Sequence, residues 1–327
     1  MNWLGKKVLV TGAGGFIGSH LAERLVDLGA DVRALVHYNS LGRQGWLDHS
    51  AVSARMNVLA GEITDRDLLR EAMAEREVVF HLAALIGIPY SYHAPESYVR
   101  TNVLGTLNVL QCAREFGVER LIHTSTSEVY GTARQVPISE EHPLQGQSPY
   151  SASKIAADKM AEAFHLSFGL PVVTVRPFNT YGPRQSTRAV IPTIITQCLK
   201  GDSVRLGNLR PTRDLNYVAD TVEGFIAAAM ASKAVGGTFN IGSGREISVG
   251  DLAELIGTLT GRSVKLVNET ERERPEGSEV DRLLAANDRA RDLLGWEPKV
   301  SLEEGLRQTI EWFRSNMAQY RSGTYAL

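Results

Sequence analysis

The sequence predicts an α/β fold built on a doubly wound parallel sheet, with a smaller mixed part toward the C-terminal end. In the first half of the chain, short runs rich in β-branched residues alternate with segments of helical periodicity. Such alternation predicts parallel strands with helices on both faces, because right-handed crossovers return the chain to the same sheet. A glycine-rich turn, Gly12-Ala-Gly-Gly15, directly follows the first apolar run, as in a Rossmann-like sheet.

The individual elements follow from composition and from residues that end helices. Runs of Val, Ile and Leu predict strands, and periodic apolar residues that stop at a glycine, as at Gly29 and Gly117, predict helices. The predicted strands of the first half are Lys7–Val10, Val32–Val36, Met56–Leu59, Val78–Leu82, Leu121–Thr124 and Val172–Val175. The predicted helices between them are Ile17–Leu28, Tyr98–Phe116 and Ser151–Phe168.

A change of composition after Pro177 predicts a second domain. Arg, Pro and Gly become frequent as far as Arg213, while a helix at Val218–Ala231 and a strand at Thr238–Ile241 predict a return to the sheet. The first predicted domain is therefore 1–178 with a return around 214–242, and the second is 179–213 with 243–327. Further predicted elements are helices at Leu252–Leu259, Ala290–Leu294 and Leu302–Phe313 and a solvated loop at Glu269–Glu279.

Composition and charge exclude several classes of protein. The chain has 327 residues, 43% of them hydrophobic, and a net charge of −2, so neither nucleic acid nor a membrane is an expected partner. No signal peptide is recognisable, and the longest uncharged apolar stretch, Gly224–Ser232, is too short to span a bilayer. Cys112 and Cys198 are too few for a disulfide framework, and the His residues lack metal-ligand spacing. We expect a cytoplasmic protein without a bound metal.

Three glycines at the first strand-to-helix junction predict a dinucleotide site. Gly12 permits the tight turn, Gly15 lets a pyrophosphate approach the backbone, and Gly18 allows close packing of the helix. The helix N-terminus then faces the anion. Further candidate cofactor-binding residues are Phe16, Ile17, Asn39, Glu62, Ile63, Leu82, Ala83, Ala84 and Asn102.

The end of the second predicted strand bears on the choice between NAD and NADP. An acid that binds the adenosine ribose is expected there, but His37 occupies the place and no carboxylate follows it directly. Arg43 lies a few residues further on, where it could meet a ribose phosphate. The sequence thus modestly favours NADP over NAD. The alternative, in which Arg43 is merely exposed and neutral groups hold the ribose, stays open.

A catalytic pair is predicted at the start of a helix. Tyr150 and Lys154 are four residues apart, which directs both side chains to the same side. An ammonium beside a phenol is expected to lower the pKa of the phenol from about 10 toward neutrality, so that it becomes a usable base.

The sequence resembles the extended short-chain dehydrogenase/reductase family over essentially the whole chain. The resemblance implies enzymes that act on nucleotide sugars with a tightly bound cofactor. It also implies that Tyr150, Lys154 and Thr126 handle the sugar C4 hydroxyl and the nicotinamide ribose. The motifs that carry it are Thr11–Gly18, His81–Ala84, Thr101-Asn102, Thr126–Gly131, Tyr150-x-x-x-Lys154 and Arg176–Asn179.

Glu128 is the residue that bears most on which reaction of this family to expect, although it does not settle the reaction. The 4-epimerases usually have a small residue here, whereas the 4,6-dehydratases place a Glu that removes the C5 proton after oxidation at C4. Water then leaves from C6, the hydride returns to C6, and the cofactor is regenerated. Many glucose dehydratases have Asp-Glu where this chain has Ser127-Glu128, so either Glu128 protonates the leaving group or Ser127 relays a proton through water. Thr-Ser-Glu also resembles UDP-glucuronate decarboxylases.

The wider motifs narrow the expected substrate. Thr124–Gly131, Gln145–Lys154 and Pro177–Gln185 resemble N-acetylglucosamine 4,6-dehydratases of the legionaminic-acid type, which use UDP- or GDP-linked sugars. Arg matches a diphosphate with bidentate hydrogen bonds. The candidate substrate-binding residues are Asn179, Arg184, Arg188, Arg213 and Arg274.

The apolar residues of Tyr98–Phe116 and Ser151–Phe168 occupy more than one helix face. One face must cover the sheet, which leaves another for a partner. The pattern, like the family resemblance, predicts a homodimer through a four-helix bundle. A nucleotide-binding scaffold without turnover is the non-enzymatic alternative, although such a scaffold would need neither Tyr150, Lys154 nor Glu128.

Overall fold

The computed structural model describes residues 2–269 and 275–320. Its strands are β1 Lys7–Thr11, β2 Asp31–His37, β3 Asn57–Gly61, β4 Val78–His81, β5 Arg120–Thr124, β6 Val172–Pro177, β7 Asn179–Tyr181, β8 Ser203–Leu206, β9 Thr212–Tyr217, β10 Thr238–Ile241, β11 Glu246–Ser248, β12 Lys265–Asn268 and β13 Arg282–Leu283. Its helices are α1 Phe16–Asp27, α2 Arg66–Met73, α3 Ile88–His93, α4 Pro95–Tyr98, α5 Gly105–Glu115, α6 Pro149–Phe168, α7 Val190–Cys198, α8 Val218–Met230, α9 Val249–Thr260, α10 Asp288–Leu294 and α11 Leu302–Asn316.

A seven-stranded parallel sheet forms the centre of the fold, in the order β10-β6-β5-β4-β1-β2-β3. Val8 and Val10 of β1 belong to a core with α1 and α8 on one face, whereas Leu9 between them belongs to a core with α2, α5 and α6 on the other. Both faces are covered, which explains why the strands are apolar throughout rather than alternating. The predicted Rossmann-like, doubly wound sheet is confirmed.

The second half of the chain builds two smaller sheets beside the first. Strand β9 pairs with β7, β11 and β13, and β8 pairs with β12. The return to the large sheet consists of α8 and β10, where β10 adds to the edge next to β6. Strand β9, which falls largely inside the predicted return, lies instead in the smaller sheet. The candidate site includes residues in the loops that follow strands β1, β4 and β5 of the large sheet and residues of the smaller sheets.

The predicted helix Tyr98–Phe116 is interrupted. A π-helical turn, Val99–Leu104, separates α4 from α5. Within that turn the buried Asn102 donates to the carbonyl oxygen of Leu85 at 2.9 Å and to Ser153 Oγ at 3.0 Å, and it accepts from the Leu85 backbone N–H at 2.8 Å. The π-helical turn directs the side chain of Asn102 inward, where it joins the loop after β4 to α6. Such turns are frequent at functional sites.

Candidate active site

The glycine-rich turn after β1 forms one end of the candidate site. Gly12 has φ +71°, and a Cβ there would lie 2.8 Å from the backbone nitrogen of Ala83. At Gly18 a Cβ would lie 2.1 Å from the carbonyl oxygen of Gly12. Both positions therefore require glycine, and the helix can approach the turn only without side chains.

The N-terminus of α1 is open toward this turn. Gly15 is its N-cap, and in the described part of the chain no side chain caps it and no acid lies in its first turn. Phe16 and Ile17, which begin the helix, are partly buried against the core. Unsatisfied N–H groups and the positive end of the helix dipole favour an anion here. The arrangement fits the pyrophosphate of a dinucleotide.

The loop after β4 closes over the turn. The backbone N–H groups of Leu82 and Ala83 both donate to Thr11 Oγ1 at 3.2 Å, and Ala84 follows them toward the segment held by Asn102. His81 is fully buried between the hydroxyls of Thr11 and Thr106, at 2.9 and 3.0 Å. Burial keeps the pKa of this imidazole well below its ordinary value, so His81 is a neutral structural residue.

The ends of β2 and β3 bring a carboxylate to His37, a contact that the sequence did not predict although Glu62 was itself a candidate cofactor-binding residue. Glu62, just after β3, has Oε1 at 3.0 Å from His37 Nε2. The premise that no acid lies near His37 is wrong, because the parallel pairing of β2 with β3 brings residues 25 positions apart in sequence together. Asn39 binds the backbone of its own loop, donating to the carbonyl oxygen of Arg43 at 2.7 Å. The side chain of Arg43 is exposed.

Ile63 contributes to this end of the site through packing. Its side chain is buried, and a Cβ at Gly105 would lie 2.6 Å from Ile63 Cδ1. Asn108 of α5 donates to the carbonyl oxygens of Ile63 and Thr64 at 3.2 Å. The segment after β3 is therefore held firmly beside Glu62.

Thr126, Ser127 and Glu128 follow β5 and begin a short helical turn. Thr126 is its N-cap, accepting the backbone N–H of Glu128 at 3.2 Å through Oγ1. Ser127 is buried, whereas Glu128 is only partly buried. The negative charge of Glu128 acts on the phenol of Tyr150 and raises its pKa, so the two side chains lie in one electrostatic environment. The helical turn that carries Glu128 packs against α6, which carries Tyr150.

Tyr150 lies in the first turn of α6. The N-cap Ser148 and Ser151 form a reciprocal capping box, and Ser153 Oγ donates to the Tyr150 carbonyl oxygen at 2.7 Å. The ring packs edge-on against Tyr98, with centroids 6.2 Å apart. The sequence did not predict that Tyr98 contacts Tyr150. Its only signal there is that an aromatic residue comes four positions before Asn102, a predicted cofactor-binding residue.

The pKa of Tyr150 does not follow the prediction. Burial raises it well above its ordinary value, while a hydrogen bond with Thr126 lowers it. The predicted lowering by Lys154 is wrong for this arrangement, because the ammonium donates to the carbonyl oxygen of Thr124 at 2.6 Å. Burial lowers the pKa of Lys154 to about 8, and the charge of Asp158 opposes that effect.

Among the predicted substrate-binding residues, Arg184 has a different partner. Its guanidinium donates to Glu23 Oε1 at 2.9 Å and to Ser19 Oγ at 3.1 Å, both on α1. This ion pair joins the loop after β7 to α1, and the substrate role of Arg184 stays a prediction. Its φ of +70° marks a strained backbone, which the two partly buried contacts with α1 hold in place.

The other predicted substrate-binding residues that the structure describes lie on β7, in the loop after it and on β9. The carboxamide oxygen of Asn179 is buried and has no hydrogen-bond partner within residues 2–269 and 275–320. Arg188 faces the loop after β4: a Cβ at Gly87 would lie 3.6 Å from its Nη1. Arg213 on β9 is nearly buried, with Nη2 at 3.3 Å from Glu279 Oε1. Arg274 lies outside the described residues.

A family model described as GDP-mannose 4,6 dehydratase matches residues 9–309. The chain belongs to this family. Membership confirms the predicted extended short-chain dehydrogenase/reductase family, whose members are nucleotide-sugar dehydratases, decarboxylases and epimerases. The dehydratase family model spans both the large sheet and the smaller ones, so the resemblance covers the whole candidate site.

Individual relatives in this family carry out different reactions. A UDP-glucose 4-epimerase of Mycolicibacterium smegmatis is 36% identical, over 94% of this chain and 99% of that protein. A UDP-N-acetyl-alpha-D-glucosaminuronate decarboxylase of Bacillus cytotoxicus is 35% identical, over 94% and 98%. The structure of a dTDP-glucose 4,6-dehydratase from Streptomyces venezuelae with NAD bound superposes with a TM-score of 0.87 at 31% identity, covering 96% and 98%.

The described helices include none that is both long and apolar enough to cross a membrane.

Proposed function

We propose that this enzyme is an NAD-dependent nucleotide-sugar 4,6-dehydratase that acts on UDP- or GDP-linked N-acetylglucosamine. The observation that carries the proposal is the place of Glu128, two residues after Thr126 in the helical turn that packs against the helix of Tyr150 and Lys154. An epimerase needs one base at C4, whereas an elimination needs a second base at C5. Tyr150 and Glu128 supply two bases in one site.

The glycine cradle at Gly12 and Gly18 and the open N-terminus of α1 fit NAD. When bound, NAD supplies the hydride acceptor and, in its oxidised form, a positive charge beside the phenol. Leu82, Ala83 and Asn102 would bound the nicotinamide side, and Glu62 and His37 the adenosine side. A reducing, cytoplasmic setting agrees with two buried free cysteines.

The residues of the site then divide the reaction among them. Tyr150 would take the proton of the C4 hydroxyl as a phenolate, a form that burial disfavours and that the positive charge of bound NAD would favour, as the C4 hydrogen leaves with its electron pair. Thr126 would orient that hydroxyl. The resulting ketone acidifies C5, and Glu128 removes the C5 proton. The C6–O bond breaks, and the hydroxide leaves as water with a proton from Glu128 or through Ser127. Hydride would return to C6, and the proton that Tyr150 accepted from the C4 hydroxyl balances the protonation of C5, directly or through solvent, so the net change is loss of one water. A positioned general base contributes about 10²–10⁴-fold to such a step.

The second domain is proposed to hold the nucleotide diphosphate. Arg213 is buried and paired with Glu279, in surroundings of low polarity that strengthen charged hydrogen bonds, and Arg188 lies beside the loop after β4. Asn179, with its unpartnered carboxamide oxygen, offers an acceptor to a sugar hydroxyl.

Product mass tests the proposal. The purified enzyme is incubated separately with UDP-N-acetylglucosamine, GDP-N-acetylglucosamine and UDP-glucuronate, and the products are analysed by mass spectrometry. Loss of water from an N-acetylglucosamine nucleotide is the expected result. Loss of carbon dioxide from UDP-glucuronate would favour the decarboxylase alternative, which Ser127-Glu128 and the Bacillus relative support. Change of C4 configuration at constant mass would favour the epimerase, and no turnover with bound cofactor would favour a scaffold.

We expect NAD to bind more tightly than NADP, in place of the preference predicted from the sequence. The extra phosphate of NADP would approach the carboxylate of Glu62, and like charges repel. Glu62→Gln should therefore narrow the ratio of the two dissociation constants by about 3- to 10-fold, allowing for solvent screening at this exposed site. Calorimetric titration measures both constants, with Glu71→Gln on α2 as the control. Tighter NADP binding that Arg43→Ala selectively weakens would support the original preference instead.

We further propose a homodimer through a helical bundle that includes helix α6 and the π-helical turn Val99–Leu104. Leu104 is 49% exposed and Leu166 is 75% exposed, although both are large apolar side chains. Light scattering at micromolar concentration should give a dimer mass, and Leu104→Glu with Leu166→Glu should give a monomer. Leu4→Glu, at a residue 76% exposed near the N-terminus, should leave the dimer intact. A monomeric parent protein would contradict the proposal.

A further inference from the structure

Asp158 lies in the middle of α6 and has no part in the reaction described above. It follows Lys154 by four residues, so the two side chains share one helix face. Its carboxylate is 5% exposed. A buried carboxylate is costly unless it is paired and hydrogen-bonded, so its surroundings reveal what it serves.

Three donors from neighbouring strands fix this carboxylate. His123 of β5 has Nε2 at 3.0 Å from Oδ1, and Ser125 donates to Oδ2 at 2.8 Å. Arg176 of β6 donates to Oδ2 through Nε at 3.2 Å and Nη2 at 3.0 Å. Arg176 of the Arg-Pro-Phe-Asn motif has no role in the proposed reaction. Its hydrogen bonds to Asp158 explain its presence. These hydrogen bonds hold the carboxylate of Asp158 in place, one helical turn after Lys154.

The charges around Lys154 leave Asp158 as its counter-ion. His81 and His123 are buried, and burial lowers the pKa of each, so both are neutral. Arg176 is cationic, and Tyr150 is a buried phenol. Glu128 acts on Tyr150. Among the described residues, Asp158 is the one charge that acts to keep Lys154 protonated against burial.

We propose that Asp158 is a positioning residue that keeps Lys154 cationic from one helical turn away, while the ammonium itself stays on the carbonyl oxygen of Thr124. The proposal rests on the proposed function of Lys154. The competing explanation is that Asp158 only anchors Arg176 between β6 and α6. The two differ in one respect: an anchor affects stability at every pH, whereas a counter-ion sets the pH at which Lys154 loses its proton.

Asp158→Asn separates these explanations, and the surroundings can accept it. The amide keeps the size of the carboxylate and an oxygen for Ser125 and Arg176. His123 Nδ1 is buried without a partner within the described residues, so the neutral ring can change tautomer and accept from the new amide N–H. Arg176 keeps its hydrogen bond to the Tyr130 hydroxyl at 3.0 Å.

The test measures the pH dependence of NAD affinity by calorimetry and of single-turnover hydride transfer. Lys154 is charged below its pKa, so removing the negative charge lowers that pKa further below about 8. The alkaline limb of both profiles should move to lower pH by roughly 1–2 units. Activity should then fall about tenfold near pH 8 but less than about twofold near pH 6. Asp220→Asn, which removes a buried carboxylate on α8 that does not act on Lys154, should leave both profiles at the parent position.

An unchanged alkaline limb in a folded Asp158→Asn protein would overturn the proposal and leave Asp158 as an anchor. If that variant does not fold, the double variant Asp158→Asn with Arg176→Gln also removes the guanidinium that would be left without its carboxylate. The alkaline limb of its pH profiles must then show the same shift. A parent enzyme that neither binds NAD nor transfers hydride would refute the proposed function instead, so the two failures are distinct.

Discussion

Glu128→Gln should arrest the enzyme after oxidation at C4. The variant keeps the size and hydrogen-bonding shape of the side chain but has no basicity, so the C5 proton has no acceptor. Tyr150, Lys154 and Thr126 remain, and oxidation at C4 needs only these and the cofactor. We expect absorbance of reduced cofactor to accumulate on adding substrate, while product formation falls by about 10²–10⁴-fold. Exchange of the C5 proton with heavy water should slow in parallel.

Two comparisons make that result specific. Tyr150→Phe should give no reduced cofactor at any time, because the C4 proton then has no acceptor. Glu141→Gln, at a carboxylate whose side chain is 88% exposed, should turn over at the parent rate. If Glu128→Gln itself turns over at the parent rate, Glu128 is not the C5 base, and the epimerase and scaffold alternatives gain.

Gly18→Ala should have the second large effect. The new Cβ would lie 2.1 Å from the carbonyl oxygen of Gly12, a backbone atom that has no rotamer by which to move away. Helix α1 must then shift from the turn that cradles the cofactor. We expect the free energy of unfolding to fall by about 1–3 kcal/mol, despite the better helix propensity of Ala, and NAD affinity to weaken on the order of 10²-fold.

Denaturant unfolding and calorimetric titration measure these two quantities. Gly201→Ala is the matched control, since a Cβ there meets no atom within 4 Å, and it should change stability by less than about 0.5 kcal/mol. Parent-like NAD binding by Gly18→Ala would show that the turn does not hold the cofactor.

The sheet was predictable because its signals are local. Strand Thr238–Ile241 has the same limits in prediction and structure, and the other predicted strands of the large sheet differ only at their ends. Apolar runs buried on both faces identify such strands without knowledge of their partners. Helix α7, by contrast, was not predicted although its polar residues, Thr193, Thr196 and Gln197, share one face, because it is short and has a proline, Pro192, in its first turn.

The parts of the site that escaped prediction depend on contacts distant in sequence. Arg184 reaches Glu23 across 161 residues, and no pattern near Arg184 indicates that its charge is already paired. Glu62 meets His37 only because their strands are neighbours. The spacing of Tyr150 and Lys154 placed both on α6, but their pKa values depend on burial, on Thr124 and on Asp158, which the spacing does not contain.

The fate of the C4 hydrogen tests the 4,6-dehydratase account most directly. The parent enzyme is given UDP- or GDP-N-acetylglucosamine with deuterium at C4, and the product is examined by mass spectrometry and NMR. The account predicts a product that has lost one water and carries the deuterium at C6, because the hydride taken from C4 returns there. Deuterium restored to C4, with no water lost, would contradict it.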